Sequence, residues 1–192
     1  MSMLRRIFII DKKNSNPKSE REKFVNSLNI FKDRLEHMIV RIDKIHIELD
    51  VKADNETLSE ISRYLDKLGY NLVEEVDVDE EDRYIGDWIG KFLNLFNMGR
   101  YWEIHEMLEE KWKEENDDFY RVLILLVIPF IKIQMGHIKE AFKGFHRFIE
   151  YPYNDKKYGI DIRCLKKLIE EEILYNKEPE LYIPIKIKRC ID

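Results

Sequence analysis

Apolar residues follow two different periods along this chain, and the change falls near residue 80. Before it, segments in which every second residue is apolar alternate with segments at helical spacing, which predicts strands and helices in turn. The predicted strands cover residues 6–11, 39–51 and 71–78, and the predicted helices cover about 19–35 and 56–68. Because strands separated by helices are usually joined by crossovers, residues 1–80 are predicted to form a small α/β sandwich with a mixed sheet and two helices.

Beyond residue 85 every apolar pattern has the helical period, down to about residue 176. Five helices are predicted, at about 85–98, 100–115, 119–135, 137–150 and 161–176. The third is apolar on nearly all sides, so it is expected at the centre of a bundle, with Pro129 as a kink. Residues 81–178 are therefore predicted to form an all-α domain, and the acidic run 77–83 marks its boundary.

A weak internal repeat relates two of the predicted helices. Residues 99–105 align with residues 136–142, and the alignment continues as far as Trp112 and Ile149. The offset of about 37 residues is close to the tetratricopeptide period. Two units are too few for an open solenoid, so the pattern favours a compact bundle of about five helices with tetratricopeptide-like pairing.

The tail, residues 179–192, returns to a strand-like pattern. Apolar residues occupy every second position from 181 to 187. A lone strand cannot satisfy its backbone, and the only predicted sheet is in the first domain. Pro184 has no amide hydrogen, which restricts such a strand to a sheet edge. The tail is therefore predicted to add an edge strand to the N-terminal sheet, and the alternative is an extended tail that lies on the helices.

Composition narrows the class of protein. Of the 192 residues 44% are hydrophobic and 37% are charged, which is typical of a folded domain and argues against disorder. The net charge of -5 offers no general attraction for nucleic acid or anionic membranes. The longest apolar run, residues 122–131, is about half a membrane span. No cleavable signal peptide is recognised at the start, and a cytoplasmic location is predicted.

The rarer residue types add two expectations. Gln134 is the only glutamine, and Ala53 and Ala141 are the only alanines, a usage typical of proteins from hot environments. The two cysteines, Cys164 and Cys190, lack the spacing of metal ligands. We expect two reduced thiols, and the alternative is a disulfide, as occurs in the cytoplasm of thermophiles.

The candidate chemistry lies in the segment 96–112, whose sequence is FNMGRYWEIHEMLEEKW. On a helical wheel at about 100° per residue, His105 lies within the inward apolar stripe and Glu109 lies at its edge beside Trp102. The other members of the stripe are Tyr101, Ile104, Leu108 and Trp112, and the residues that point away are Glu103, Glu106 and Glu110. A half-buried imidazole needs a polar partner, which Glu109 can supply from one turn away.

This segment, together with Gln134-Met135-Gly136, Ala141 and the motif at 159–162, resembles the helical family called domain of unknown function 309. The resemblance covers about residues 85–176 and leaves the first 80 residues outside. It implies a helical fold and no assigned activity. Related sequences tend to have glutamines at the positions of Arg121 and Leu125, so a polar network that depends on those glutamines is not expected here.

Three interpretations of His105 and Glu109 remain open from the sequence. They could form a structural hydrogen bond that orients the helix, or a pocket in which Glu109 sets the tautomer of His105 for acid–base work or ligand binding. A metal site is the third, but no second helix offers a matching pair of ligands, so no metal is predicted. The remaining histidines are expected at the surface; they are His37, His46, His137 and His146.

The leading interpretation of function is a non-enzymatic protein-interaction or oligomerisation module, which predicts a protein partner or a homo-oligomer. The alternative is a small-molecule-binding protein or enzyme, with a pocket centred on His105 and Glu109 and lined by Tyr101, Trp102 and Trp112. No catalytic residue is assigned, because no phosphate-binding loop, nucleophile elbow or Cys–His arrangement is recognised. No cofactor is predicted.

Overall fold

The computed structural model describes residues 3–11, 17–42, 46–78, 87–174 and 187–191 of the chain. Packing divides the chain into two compact units, residues 1–83 and 84–192. Each unit has a hydrophobic core of its own. The two cores differ in kind, because the first joins helices to a sheet and the second joins helices to helices.

The N-terminal unit is an antiparallel sheet with two helices. Its elements are β1 (Leu4–Asp11), α1 (Pro17–Leu28), a 3-10 helix (Asn29–Arg34), β2 (His37–Ile42), β3 (His46–Ala53), α2 (Asn55–Lys67) and β4 (Leu72–Asp77). The strand order is β2-β3-β1-β4, and all three described pairings are antiparallel. This β-α-β-β-α-β order is the split βαβ, or ferredoxin-like, arrangement.

The predicted mixed sheet is wrong, because the segment 39–51 is not one strand. It contains most of a hairpin whose strands β2 and β3 pair antiparallel, with Arg41 opposite Glu48. The hairpin reverses the chain, so β3 and not β2 lies beside β1. Residues 43–45 lie outside the described residues, and they contain neither glycine nor proline. Without a turn signal, the period of two runs through both strands and hides the reversal.

One face of the sheet packs against the two helices. The buried residues of this core are Phe8, Ile10, Phe24, Leu28, Phe31, Val40, Ile42, Ile47, Leu49, Val51, Ala53, Leu58, Ile61 and Leu65. Helix α2 is capped by Asp54, whose carboxylate accepts a hydrogen bond from the amide of Thr57 at 2.8 Å. It ends before Gly69, which adopts a φ of 79°. Because side chains alternate across a strand, the polar positions of β3 lie on the opposite face.

The second unit is helical, and the prediction of about five helices is confirmed. The α-helices are α3 (Trp88–Asn97), α4 (Tyr101–Glu115), α5 (Asp118–Gln134), α6 (Ile138–Glu150) and α7 (Ile162–Ile169). A hairpin of two-residue strands, β5 (Lys156–Lys157) and β6 (Ile160–Asp161), precedes α7, and a π-helical turn (Glu170–Leu174) follows it. A 3-10 helix, Ile187–Cys190, belongs to the same unit.

Helix α5 lies between α4 and α6. The ring of Phe130 stacks on Tyr101 of α4, with 4.9 Å between centroids, and meets Phe145 of α6 edge-on at 5.1 Å. Pro129, the predicted kink, lies inside α5 and approaches α6 so closely that a Cβ at Gly144 would be 2.8 Å from its ring. A glycine is therefore required where the two helices meet. The central position predicted for this helix agrees with these contacts.

The C-terminal segment is tied to α7 by a disulfide between Cys164 and Cys190, whose Cα atoms are 5.5 Å apart. The expectation of two reduced thiols is therefore wrong, and the alternative holds. Of the strand predicted over 181–189, residues 181–186 lie outside the described residues. Residues 187–189 belong to the 3-10 helix, so the strand prediction is wrong there. The physical reason is that Ile187 is fully buried in the helical core beside the disulfide.

Candidate functional site

Helix α4 is anchored at its start by a buried polar cluster. Gly99 adopts a φ of 72°, which lets the amide of Arg100 donate to the carbonyl of Leu95 at 2.9 Å and closes helix α3. The side-chain amide of Gln134 donates to the carbonyl of Gly99 at 2.6 Å. The sole glutamine of the chain thus joins the end of α5 to the α3–α4 turn.

Glu103 belongs to this anchor, and its predicted outward position is wrong. It is 7% exposed and accepts two hydrogen bonds from the guanidinium of Arg100, one to each carboxylate oxygen. The pairing neutralises both charges, and the backbone spacing of three residues brings them together. The sequence signal was the arginine three positions before the glutamate, which a wheel of apolar residues does not consider.

The predicted pocket residues separate into core and surface. Tyr101 is 1% exposed and stacks on Phe130 in the core, so it does not line a surface. Trp102, His105, Glu109 and Trp112 are partly exposed. On the helical wheel these four lie on one side of α4, and we call them the α4 flank. The sequence predicted His105 and Trp112 within the inward stripe and Glu109 at its edge beside Trp102, whereas all four side chains are only partly buried.

Within the α4 flank an indole and an imidazole are stacked. The rings of Trp102 and His105 are nearly parallel, at 12°, with centroids 5.2 Å apart. Nε2 of His105 lies 3.6 Å from Oε1 of Glu109, which is longer than a hydrogen bond. Glu109 is 40% exposed and its other oxygen lies 3.5 Å from the ammonium of Lys113. The His105–Glu109 interaction is therefore a weak surface contact.

The imidazole of His105 is not fully satisfied. Its Nδ1 is buried and has no hydrogen-bond partner among the described residues. Burial lowers the pKa of His105 below its usual 6.5, although the charges of Glu109 and Glu106 act in the opposite direction. The ring is therefore neutral near pH 7, and the proton belongs on Nε2, which faces Glu109. An unpaired buried nitrogen of this kind costs about 1–3 kcal/mol.

Helix α5 extends the α4 flank. The guanidinium of Arg121 lies 6.0 Å from the ring of Trp112 and 5.6 Å from that of Tyr151, after α6. Leu125 and Ile128, four and seven residues further on, share that side of α5 and are partly exposed. Aromatic and aliphatic side chains thus line a partly exposed surface that runs along both helices.

A second polar cluster lies on the N-terminal sheet and was missed from the sequence. The guanidinium of Arg41, 1% exposed, donates to Glu48 at 2.6 Å and to Asp50 at 3.2 Å. Arg5 donates two further hydrogen bonds to Asp50, at 2.9 and 2.8 Å. We call these four residues the sheet network. The signal was the alternation of acids on β3, but it becomes a cluster only when the hairpin brings Arg41 opposite Glu48.

Two histidines predicted at the surface border the sheet network. His46 is 6% exposed, with its Nε2 3.3 Å from Glu48, so its surface prediction is wrong. His37 is partly buried, and its Nε2 lies 3.6 Å from Asp50. Burial opposes ionisation of both acids, but the neighbouring cations outweigh it and lower the pKa of Glu48 and Asp50 below the usual 4.5 and 3.8.

Neither cluster is arranged as a metal centre. In the described ranges no three side chains of His, Cys, Asp or Glu are grouped so that they could hold a metal ion. Nor does any helix in the described part of the chain have the length and apolar content needed to cross a membrane. The chemistry of the two sites is therefore described by their hydrogen bonds, ion pairs and ring contacts.

Comparison with known proteins links the α4 flank to a family. A family model described as a domain of unknown function (DUF309) matches residues 89–143, which confirms the resemblance over α3, α4, α5 and the first half of α6. The match contains the α4 flank and its anchor but does not reach α7 or the 159–162 motif. No curated protein and no solved structure matches the chain.

Proposed function

We propose that the helical unit is a non-enzymatic protein-interaction module and that the α4 flank is its binding surface. The carrying observation is the partly exposed stack of Trp102 on His105, in which one imidazole nitrogen is buried and has no hydrogen-bond partner among the described residues. A phenylalanine would fill such a position without an unsatisfied polar atom. Because the unpaired nitrogen of His105 lowers the stability of the fold, the histidine at this position points to a role in binding.

The composition of the surface agrees with this role. Tryptophan and arginine are enriched at the centres of protein interfaces, and the flank joins Trp102 and Trp112 to Arg121. The partly exposed Leu125 and Ile128 add apolar area. Such a strip suits an apolar segment of another protein, with Glu109 and Lys113 at the rim to select its charge.

The alternative, a small-molecule-binding protein or enzyme centred on His105 and Glu109, has weaker support. A carboxylate that orients a histidine for acid–base work accepts a hydrogen bond from it, whereas these two side chains are 3.6 Å apart and Glu109 is shared with Lys113. Tyr101, expected to line the pocket, is in the core. Tetratricopeptide-like pairing and a cytoplasmic location remain predictions that suit an interaction module.

The test is selection of binding peptides from a phage-displayed random library. The wild-type protein should enrich apolar peptides whose binding falls at least about tenfold in Trp102→Ala, the loss expected for an interface anchor. The matched control is Lys139→Ala, the exposed position of α6 that aligns with Trp102. Circular dichroism should show that both variants are folded.

The proposal is overturned if wild-type protein and Trp102→Ala enrich the same peptides with equal affinity. The enzymatic alternative gains support from a different result, in which a thermal-shift screen of small metabolites identifies a compound that stabilises the wild type but not Glu109→Gln.

A further inference from the structure

Helices α4 and α6 share several features at positions that the sequence repeat aligns. Gly99 and Gly136 precede them with φ values of 72° and 79°. The next amides make the same bond, from Arg100 to Leu95 at 2.9 Å and from His137 to Lys132 at 2.8 Å. Burial agrees at two aligned pairs, because Ile104 and Ala141 are both fully buried, as are Leu108 and Phe145. It differs at others, since Glu103 is buried and its counterpart Glu140 is exposed.

On the outer sides of these two helices, three aligned pairs have opposite charges and a fourth pairs an acid with a histidine. The four pairs are Glu106 with Lys143, Glu109 with His146, Glu110 with Arg147, and Lys113 with Glu150. We call the first members the α4 face and the second members the α6 face. All members of the α6 face are exposed, and those of the α4 face are exposed or partly exposed. Three acids and one base on one helix thus correspond to two bases, a histidine and one acid on the other.

Ring-bearing or aliphatic side chains border both faces at aligned positions. His105 corresponds to Phe142, and Trp112 corresponds to Ile149. All four side chains are partly buried. Each face therefore combines a strip of charge with a strip of ring or aliphatic surface, which is the usual anatomy of a protein interface with a polar rim.

The two faces are kept apart within one chain. Helix α5 lies between α4 and α6, as the contacts of Phe130 with Tyr101 and with Phe145 show. Arg121 occupies the same intermediate place, with Trp112 on one side and Tyr151 on the other. The opposite charges of the two faces therefore do not pair α4 with α6 within one molecule.

We propose that the α4 face of one copy of this chain binds the α6 face of a second copy. This inference rests on the proposal that the helical unit is an interaction module, and it names a second copy as the partner; Glu109 belongs to both the α4 flank and the α4 face. Glu106 and Glu110 would pair with Arg147 and Lys143 of the second copy. Such an interface is heterologous, so each added copy leaves one α4 face and one α6 face at the ends, and the assembly grows to a ring or a filament.

The test is a charge-swap experiment on the full chain, followed by sedimentation velocity at low salt. The acidic variant carries Lys143→Glu with Arg147→Glu, and the basic variant carries Glu106→Lys with Glu110→Lys. We expect the wild type to self-associate with rising concentration, and more weakly at high salt because screening reduces attraction between exposed charges. Each variant alone should associate at least about tenfold more weakly.

An equimolar mixture of the two variants should associate again, because the intact α4 face of the acidic variant meets the intact α6 face of the basic one. A control for net charge carries Lys23→Glu with Lys67→Glu, two exposed positions of the N-terminal unit, and should behave like the wild type. Recovery in the mixture also shows that both variants are folded.

The inference is overturned if the wild type remains monomeric at low salt, or if the mixture associates no better than its components. Peptide binding that depends on Trp102 would still support the proposed function in that case. The opposite result is also distinguishable. If the wild type self-associates in a salt-dependent way but selects no peptide whose binding depends on Trp102, the pairing of the two faces is supported and the binding of apolar peptides by the α4 flank is overturned.

Discussion

The sheet network and the α4 flank both bring polar groups out of water, but only in the sheet network does every buried carboxylate oxygen accept a hydrogen bond. The bordering Nε2 of His37, like Nδ1 of His105, has no partner among the described residues. All four carboxylate oxygens of Glu48 and Asp50 accept hydrogen bonds, from Arg41, Arg5 and His46. On the α4 flank, Nδ1 of His105 is buried without a partner in the described chain and Glu109 is half exposed. Complete pairing is what a structural cluster needs, whereas incomplete pairing beside partly exposed rings is what a binding surface can use.

Helix α4 contains both kinds of site on different sides. Its inner side holds the Arg100–Glu103 pair, which is buried and bidentate, and its flank holds the Trp102–His105 stack. Glu103 and His105 are only two residues apart in sequence. The two sites therefore differ in how completely their hydrogen bonds are satisfied and not in their position along the chain, and variants at each site can test this difference.

The largest effect is expected from the sheet network. Arg41→Ala leaves Glu48 and Asp50 without their shared cation, and should lower the free energy of unfolding of the N-terminal unit by about 3–5 kcal/mol. Urea unfolding followed by far-ultraviolet circular dichroism, with hydrogen exchange of β3 amides, measures it. The control Arg63→Ala, at an exposed position of α2, should change stability by about 0.5 kcal/mol or less. Equal losses of stability in the two variants would show that the sheet network contributes no more to the fold than an exposed arginine does.

A somewhat smaller loss is expected inside α4. Glu103→Ala leaves the buried guanidinium of Arg100 unpaired, and should destabilise the helical unit by about 3 kcal/mol. All three tryptophans lie in this unit, so their fluorescence reports its unfolding in urea. Glu110→Ala changes an exposed acid on the same helix and should cost about 0.5 kcal/mol or less. A loss at Glu110 as large as at Glu103 would show that burial does not separate the two.

A gain is expected on the α4 flank. His105→Phe removes the unpaired Nδ1 and copies Phe142, so it should stabilise the helical unit by about 1 kcal/mol. His105→Ala, which also removes the ring stacked on Trp102, should instead cost about 1–3 kcal/mol. Tryptophan fluorescence in urea compares the two. If Phe and Ala destabilise alike, the imidazole makes a structural hydrogen bond and the contrast between the two clusters fails.

The smallest effect is a difference in pH dependence. Because the pKa of His105 is lowered in the folded state, the unfolded state takes up this proton first, and the helical unit should lose stability as pH falls below about 6.5. Because the pKa values of Glu48 and Asp50 are lowered in the folded state, the unfolded state takes up those protons first, and the N-terminal unit should lose stability only as pH falls below about 4.5. Urea unfolding at a series of pH values measures both, and His105→Phe should remove the first decline. A rise in stability of the helical unit from about pH 6.5 to pH 5 would mean that Glu109 outweighs burial.

Local patterns predicted most of the helical unit. The helical period between 85 and 176, the glycines at 99 and 136, and the apolar character of α5 predicted helices close to where they lie. The same reasoning failed for Glu103, because a wheel sorts residues by polarity and ignores an ion pair that permits burial. It also failed for residues 37–53, where one period of two covered both strands of a hairpin.

Local sequence patterns predicted the helices of the second unit and the repeat between residues 99–112 and 136–149, and the resemblance predicted the family whose model matches residues 89–143. The antiparallel sheet order, the burial of Arg41, the disulfide of Cys164 and the exposed side of α4 could be read only from the folded structure. The physical reason is that periodicity records the local geometry of the backbone, which neighbouring residues set. Partners distant in sequence meet only through the path of the folded chain, and that path depends on all the packing and pairing terms together.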